Sequence, residues 1–160
     1  MEKTITTITL GDSVRVTDPS YTPDLWCSHL VKNLLPGNWV AEIKTKDEGD
    51  WGERVSRLSI HHEDYKRGRT SELVCTVPVD SGQAGFFDPA YYDQHVDDSD
   101  WDADPKSWYR RVADQTIDHD YGDMDGKCAF SSSGCGDGVY DCCARRNNSG
   151  FIVALEIRFL

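Results

Sequence analysis

Phe151-Ile152-Val153-Ala154-Leu155-Glu156-Ile157-Arg158-Phe159 is the stretch that decides the fold. Phe151, Val153, Leu155, Ile157 and Phe159 occupy alternate positions, with Glu156 and Arg158 between them. Successive side chains of a β-strand point to opposite faces, so this spacing predicts a strand with one buried face. Ile152 and Leu160 leave the second face only partly polar. Just upstream, Gly138 to Ala144 predicts the partner strand of a hairpin, turned over Asn147-Asn148-Ser149-Gly150.

The same period recurs towards the N-terminus. Trp39 to Lys44 and Val55 to Ile60 predict a strand pair, with turn chemistry in Lys46-Asp47-Glu48-Gly49-Asp50. Leu73 to Val79 and Ala84 to Phe87 predict two more strands, separated by Asp80-Ser81-Gly82. With Ile5 to Leu10 and Val14 to Thr17 the chain holds seven or eight short strands. The predicted fold is mainly β: a β-sandwich or a strongly bent antiparallel sheet, with one or two short helices. One helix is predicted from Asp104 as N-cap and Pro105 at its first position, with Trp108, Tyr109, Val112, Ala113 and Ile117 on one face. A shorter one is predicted from Thr22-Pro23, carrying Leu25, Trp26 and Leu30.

A chain of 160 residues with five Trp, seven Tyr and five Phe has the apolar mass for a single domain, 1–160. Its net charge is −11, from 28 acids against 17 bases. Such a balance argues against nucleic-acid binding and against an anionic membrane surface, both of which need surplus Lys and Arg. The first ten residues have no continuous apolar run, and no stretch reaches the roughly 20 apolar residues of a membrane span, so a cytoplasmic location with reduced cysteines is expected.

Asp18-Pro19-Ser20-Tyr21 returns as Asp88-Pro89-Ala90-Tyr91, each after a predicted strand. The pattern fits a strand end, where Asp accepts backbone N–H bonds and Pro stops the ladder. Asp18, Tyr21, Asp80, Ser81, Gln83, Asp88, Asp137 and Tyr140 all fall at strand ends, which makes them the candidate ligand-binding residues. Between Asp88 and Asp125 stand twelve Asp and no Glu, against Lys106, Arg110 and Arg111. Within it, Asp118, Asp120, Asp123 and Asp125 alternate as in a loop that wraps a divalent cation, the one cofactor considered. The segment lacks the Glu that closes the calcium loop of an EF-hand.

Other chemistry has thinner support. Cys128, Cys135, Cys142 and Cys143 include no C-x-x-C knuckle, and adjacent Cys142 and Cys143 point to opposite faces of one strand. Ser81 and the His61-His62 pair lack any G-x-S-x-G elbow, so no catalytic residue is assigned. The glycine-rich run from Ser133 to Tyr140 has no Gly-Lys-Ser/Thr and precedes a strand, which fits a tight turn better than a phosphate loop.

Read in order, Asp18-Pro19-Ser20-Tyr21, Trp26-Cys27, Pro36-Gly37-Asn38-Trp39, Gly49-Asp50-Trp51-Gly52, the Val79–Asp88 run and Gly136-Asp137-Gly138-Val139-Tyr140 resemble an uncharacterised family of bacterial and phage proteins. Asp-Ser-Gly-Gln-x-Gly-x-x-Asp and Gly-Asp-Gly-x-Tyr are the most specific elements. The family's first motif is Asp-Pro-Cys-Tyr, so Ser20 is a departure. The resemblance implies a prokaryotic or phage setting and no particular reaction.

Two functions follow as expectations. The first is a non-enzymatic binding or interaction protein, such as a phage or prophage accessory factor whose acidic face meets a basic host protein. The alternative is a small-molecule- or metal-binding protein, or a small hydrolase, with its site at the strand ends.

Overall fold

The computed structural model describes residues 1–66, 70–97 and 104–160, and among them the chain forms eleven strands and two short helices. Six strands make antiparallel sheet A, in the spatial order β1 (Glu2–Leu10), β4 (Gly37–Asp47), β5 (Glu53–His62), β11 (Ile152–Arg158), β10 (Gly138–Arg146) and β6 (Glu72–Val79). Five make antiparallel sheet B, in the order β3 (His29–Lys32), β2 (Ser13–Thr17), β7 (Gln83–Phe87), β9 (Cys128–Ser132) and β8 (Tyr121–Met124). The expected mainly β, sandwich-like architecture is the one observed.

Alternation explains how the sheets meet. Ile8, Trp39, Ile60 and Leu155 of sheet A and Val14, Val16 and Phe86 of sheet B share one buried cluster. Trp39 is its largest member, and its indole N–H is satisfied by the Leu35 carbonyl at 3.0 Å. The opposite face of sheet B carries Phe87, Cys128 and Phe130 against Tyr91, Tyr92, Trp108 and Val112 of α1 (Pro89–His95) and α2 (Trp108–His119). The molecule is therefore layered sheet, sheet, helix. Sheet B lies in the middle, which is why every residue of β7 is buried and its sequence shows no polar alternation.

Several expectations are corrected. The C-terminal hairpin forms, but a register shift pairs Arg145 with Ala154 and Arg146 with Ile152, leaving Val153 as the extra residue. That bulge changes the phase of alternation, so Ile152 enters the core while Phe151 is exposed. α2 begins at Trp108 with Ser107 as N-cap, three positions after Asp104, whose carboxylate instead accepts the Lys106 N–H in a turn. Thr116 takes the inward position expected of Ile117, which is 78% exposed. No helix forms after Thr22-Pro23. Turns lead into β3 there, and Trp26 is 80% exposed. α1, β3, β8 and β9 go beyond the elements expected, and no helix is long and apolar enough to cross a membrane among the described residues.

The middle position of sheet B restricts Gly85. A Cβ there would lie 2.7 Å from both the Ala129 carbonyl oxygen and the Phe130 Cβ. Gly85→Ala is expected to lower the free energy of unfolding by about 1–3 kcal/mol, seen as a lower urea midpoint with an unchanged slope.

Candidate functional site

The chain passes from sheet A to sheet B between β6 and β7, through Asp80-Ser81-Gly82, where Gly82 adopts φ +70°. This turn closes on the end of β2. Asp18, fully buried, accepts the Asp80 and Ser81 backbone N–H groups on Oδ2, both at 2.8 Å. Its Oδ1 accepts the Ser20 N–H at 2.8 Å and the Ser81 hydroxyl at 2.6 Å. Two carboxylate oxygens offer about four acceptor positions, and all are taken by this protein's own donors. Charge-assisted bonds of this kind make up for the desolvation of a buried carboxylate.

Further groups close over the corner. The Tyr21 hydroxyl donates to Asp80 Oδ2 at 3.0 Å. From α1, the Tyr92 hydroxyl donates to the Tyr21 and Asp18 carbonyls. From α2, the Trp108 indole N–H donates to the Pro19 carbonyl at 2.9 Å, and the Thr116 hydroxyl donates to Gln83 Oε1. Gln83 in turn donates to Ser81 Oγ at 3.4 Å. The Tyr109 phenol lies against Ser81 and Gln83. Burial pushes the phenols of Tyr21 and Tyr92 well above the usual tyrosine range, and the Asp80 hydrogen bond adds to the shift at Tyr21.

Asp18, Tyr21, Asp80, Ser81 and Gln83 thus come together, as expected of strand-end residues. Asp137, on the loop before β10, and Tyr140, within β10, flank them. The Ser133 N–H on that loop donates to the Gly82 carbonyl at 2.9 Å, and burial raises the Tyr109 pKa, with the Asp18 and Asp137 charges adding to the shift. Tyr140 ties the loop down by donating to the Ser133 and Gly136 carbonyls, with its ring edge-on to Phe159.

Asp88 does not join them. Thr17 pairs with Gly85 and Arg15 with Phe87, so the ends of antiparallel β2 and β7 lie at opposite margins of sheet B. Asp88 is the N-cap of α1, accepting the Tyr91 N–H at 3.0 Å, and Tyr91 donates to Asp125 at 2.6 Å. The two Asp-Pro-x-Tyr motifs are therefore different structures.

The four acids of the expected cation loop are spread over distinct elements. Asp118 is on α2, Asp120 is its C-cap at φ 67°, Asp123 is on β8, and Asp125 is in the following turn at φ 54°. Among the described residues no group of three or more His, Cys, Asp or Glu is placed to hold a metal ion. A paired strand now occupies what the alternating carboxylates made look like a loop.

Tyr92, Trp108, Tyr109 and Thr116 were not foreseen as part of the site. The helical spacing of Trp108, Tyr109 and Val112 marked an inward face, without marking what that face would meet. Beside the corner lies a cleft of about 200 Å³, lined by Ser81, Gln83, Tyr109, Thr116, Ile117 and Ser132. The histidines are engaged elsewhere: His62 contacts the Pro36 carbonyl and the Asp64 N–H, and His61 faces Glu42 at 3.6 Å.

No protein-family model matches the chain, and no curated protein or solved structure matches it. The corner itself yields two expectations. Asp18→Asn puts an amide N–H₂ against N–H donors, so it is expected to cost about 3 kcal/mol or more of stability by urea denaturation, whereas Ser20→Cys, whose exposed side chain makes no bond to the carboxylate, changes it by less than about 0.5 kcal/mol. The second concerns alkaline pH. The folded phenols of Tyr21, Tyr91 and Tyr92 hold their protons above the unfolded value of about 10. Below that pH both states are protonated. Above it the unfolded chain binds fewer protons, so stability falls as pH rises. Urea midpoints from neutral to alkaline pH measure this decline, and Tyr92→Phe is expected to make it shallower.

Proposed function

We propose that this chain is a non-enzymatic interaction protein whose acidic helical layer meets a basic partner. The observation that carries the reading is the separation of charge between the outer layers. Asp93, Asp97, Asp104, Asp114, Asp118, Asp120 and Asp125 are exposed in or beside α1, α2 and β8, on the helix side of sheet B. Arg110 and Asp114 form an ion pair within this layer at 3.0 Å. Ile117 stands exposed between Asp114 and Asp118, giving the acidic surface an apolar contact of the kind that anchors interfaces.

The strand-end corner supports the same reading by its chemistry. Each oxygen of Asp18 is bonded to the protein's own groups, and the Ser81 hydroxyl is held by that carboxylate. A cytoplasmic phage or prophage accessory factor acting on a basic host protein is the concrete form of the proposal. A second reading, a small-molecule site or small hydrolase at the strand ends, has in its favour the cleft beside Ser81, Gln83 and Tyr109. That cleft is smaller than the roughly 300–1,000 Å³ of most ligand pockets.

Titration of the ¹⁵N-labelled protein with a lysine-rich peptide tests the first reading. Amide shifts are expected to cluster on α1, α2 and β8, to weaken with added salt, and to shrink in Asp114→Asn/Asp118→Asn. Shifts gathered at Ser81, Gln83 and Tyr109, or indifference to the double substitution, would refute it.

A further inference from the structure

We propose that the outer face of sheet A binds a small anion carrying two or more phosphoryl groups. This site is separate from the acidic layer and does not depend on the reading given above.

Strand register builds the site. Lys44 of β4 pairs with Arg57 of β5, and Arg57 pairs with Arg158 of β11. Neighbouring strands lie about 4.8 Å apart, so three cations stand side by side over about 10 Å, with Glu2 opposite Lys44 and Asp141 opposite Arg158 at the two ends of the row. The next row of the same face runs Glu42, Ser59, Glu156 and Cys143, and the row beyond it runs Val40, His61, Ala154 and Arg145. The face thus carries three adjacent cations between two end carboxylates, with a mixed row beside it.

Two hollows cover these rows. A groove of about 610 Å³ is lined by Lys44, Lys46, Arg57, Arg145 and Arg158, with Glu156 the single acidic side chain. A second hollow of about 350 Å³ shares Arg57, Arg145 and Glu156 with it, and is walled by Tyr65 and Ser71 from the connection after β5. Both volumes fall in the range of small-molecule sites.

Carboxylates on this face are shared among its cations. Glu156 serves two arginines, at 2.6 Å from Arg158 and 3.6 Å from Arg57. Arg57 also reaches Glu2 at 2.9 Å, yet its Nε–H is buried without a partner among the described residues. Lys46 pairs with Glu48, and Lys44 forms no ion pair among the described residues. Partly exposed pairs of this kind contribute little each. Guanidinium groups match phosphoryl oxygens by two parallel N–H bonds, which recommends phosphoryl over a lone carboxylate.

Net charge does not forbid this. The acidic residues lie beyond sheet B, two layers of about 10 Å from the basic row, and the Debye length at physiological ionic strength is about 8 Å. The field in the groove is therefore set by the sheet's own residues, five cationic side chains against Glu156 in the lining, with Glu2 and Asp141 at the ends of the row. A long nucleic acid would extend past the row towards the rest of a chain of net charge −11, which favours a small ligand over a polymer.

Isothermal titration calorimetry with inorganic triphosphate, in metal-free buffer, tests the site. One saturable site is expected, weakening with added salt. Arg57→Gln/Arg158→Gln is expected to lose affinity about tenfold or more, because two charge-assisted contacts are removed. Lys32→Gln/Lys106→Gln makes the same change in net charge away from the face and is expected to leave affinity unchanged. Lys44→Gln, at an exposed position, repeats the test should the arginine pair unfold the protein, with thermal melting as the check. No saturable binding, or equal weakening by the control pair, would overturn the proposal. So would tighter binding of single-stranded oligonucleotides with affinity rising with their length, which would mark a nucleic-acid surface instead.

Discussion

The buried carboxylate of Asp18 is the point on which the three layers depend. It sits at the end of β2 in sheet B and holds the turn by which the chain arrives from sheet A. The helices then fasten to the same loop, Tyr92 through the Asp18 and Tyr21 carbonyls and Trp108 through that of Pro19. A buried charge is costly unless every acceptor position is filled, so the corner forms completely or not at all. That requirement couples the sheet-to-sheet crossing to the docking of the helices.

Proline placement explains why one motif makes two structures. After Asp88 the chain continues Pro89-Ala90-Tyr91-Tyr92-Asp93, and nothing prevents a helix with Asp88 as its cap. After Asp18 it continues Pro19-Ser20-Tyr21-Thr22-Pro23. In a helix the N–H of residue 23 would bond the Pro19 carbonyl, but Pro23 has no N–H and its ring would clash there. The Pro19 carbonyl is left for an outside donor, and Trp108 supplies it. The backbone group that a helix would have used becomes the attachment point of α2.

Charge follows the layers. The acids gather in the segment that packs on sheet B, while Lys44, Arg57 and Arg158 meet only because β4, β5 and β11 are neighbours in sheet A. The acidic run is contiguous in sequence and was evident as such. Its basic counterpart joins residues 44, 57 and 158, and no local pattern connects them. The same contrast holds at the corner. Asp18, Ser81 and Gln83 are recognisable as strand-end residues, but that Asp18 accepts from Ser81, and Ser81 from Gln83, depends on β2 and β7 being paired.

By itself the sequence determined the strands with clear period-two alternation, the C-terminal hairpin, the sandwich-like class and the concentration of acid between Asp88 and Asp125. These are local properties, set by side-chain spacing and turn chemistry within a few residues. Tertiary structure alone decided that β7 is buried on both faces, that a bulge moves Ile152 into the core, and that the two Asp-Pro-x-Tyr motifs lie at opposite margins of one sheet. It also decided which charges share a face. Each depends on which strands become neighbours, and neighbours are chosen by burial summed over the whole core rather than by any one segment.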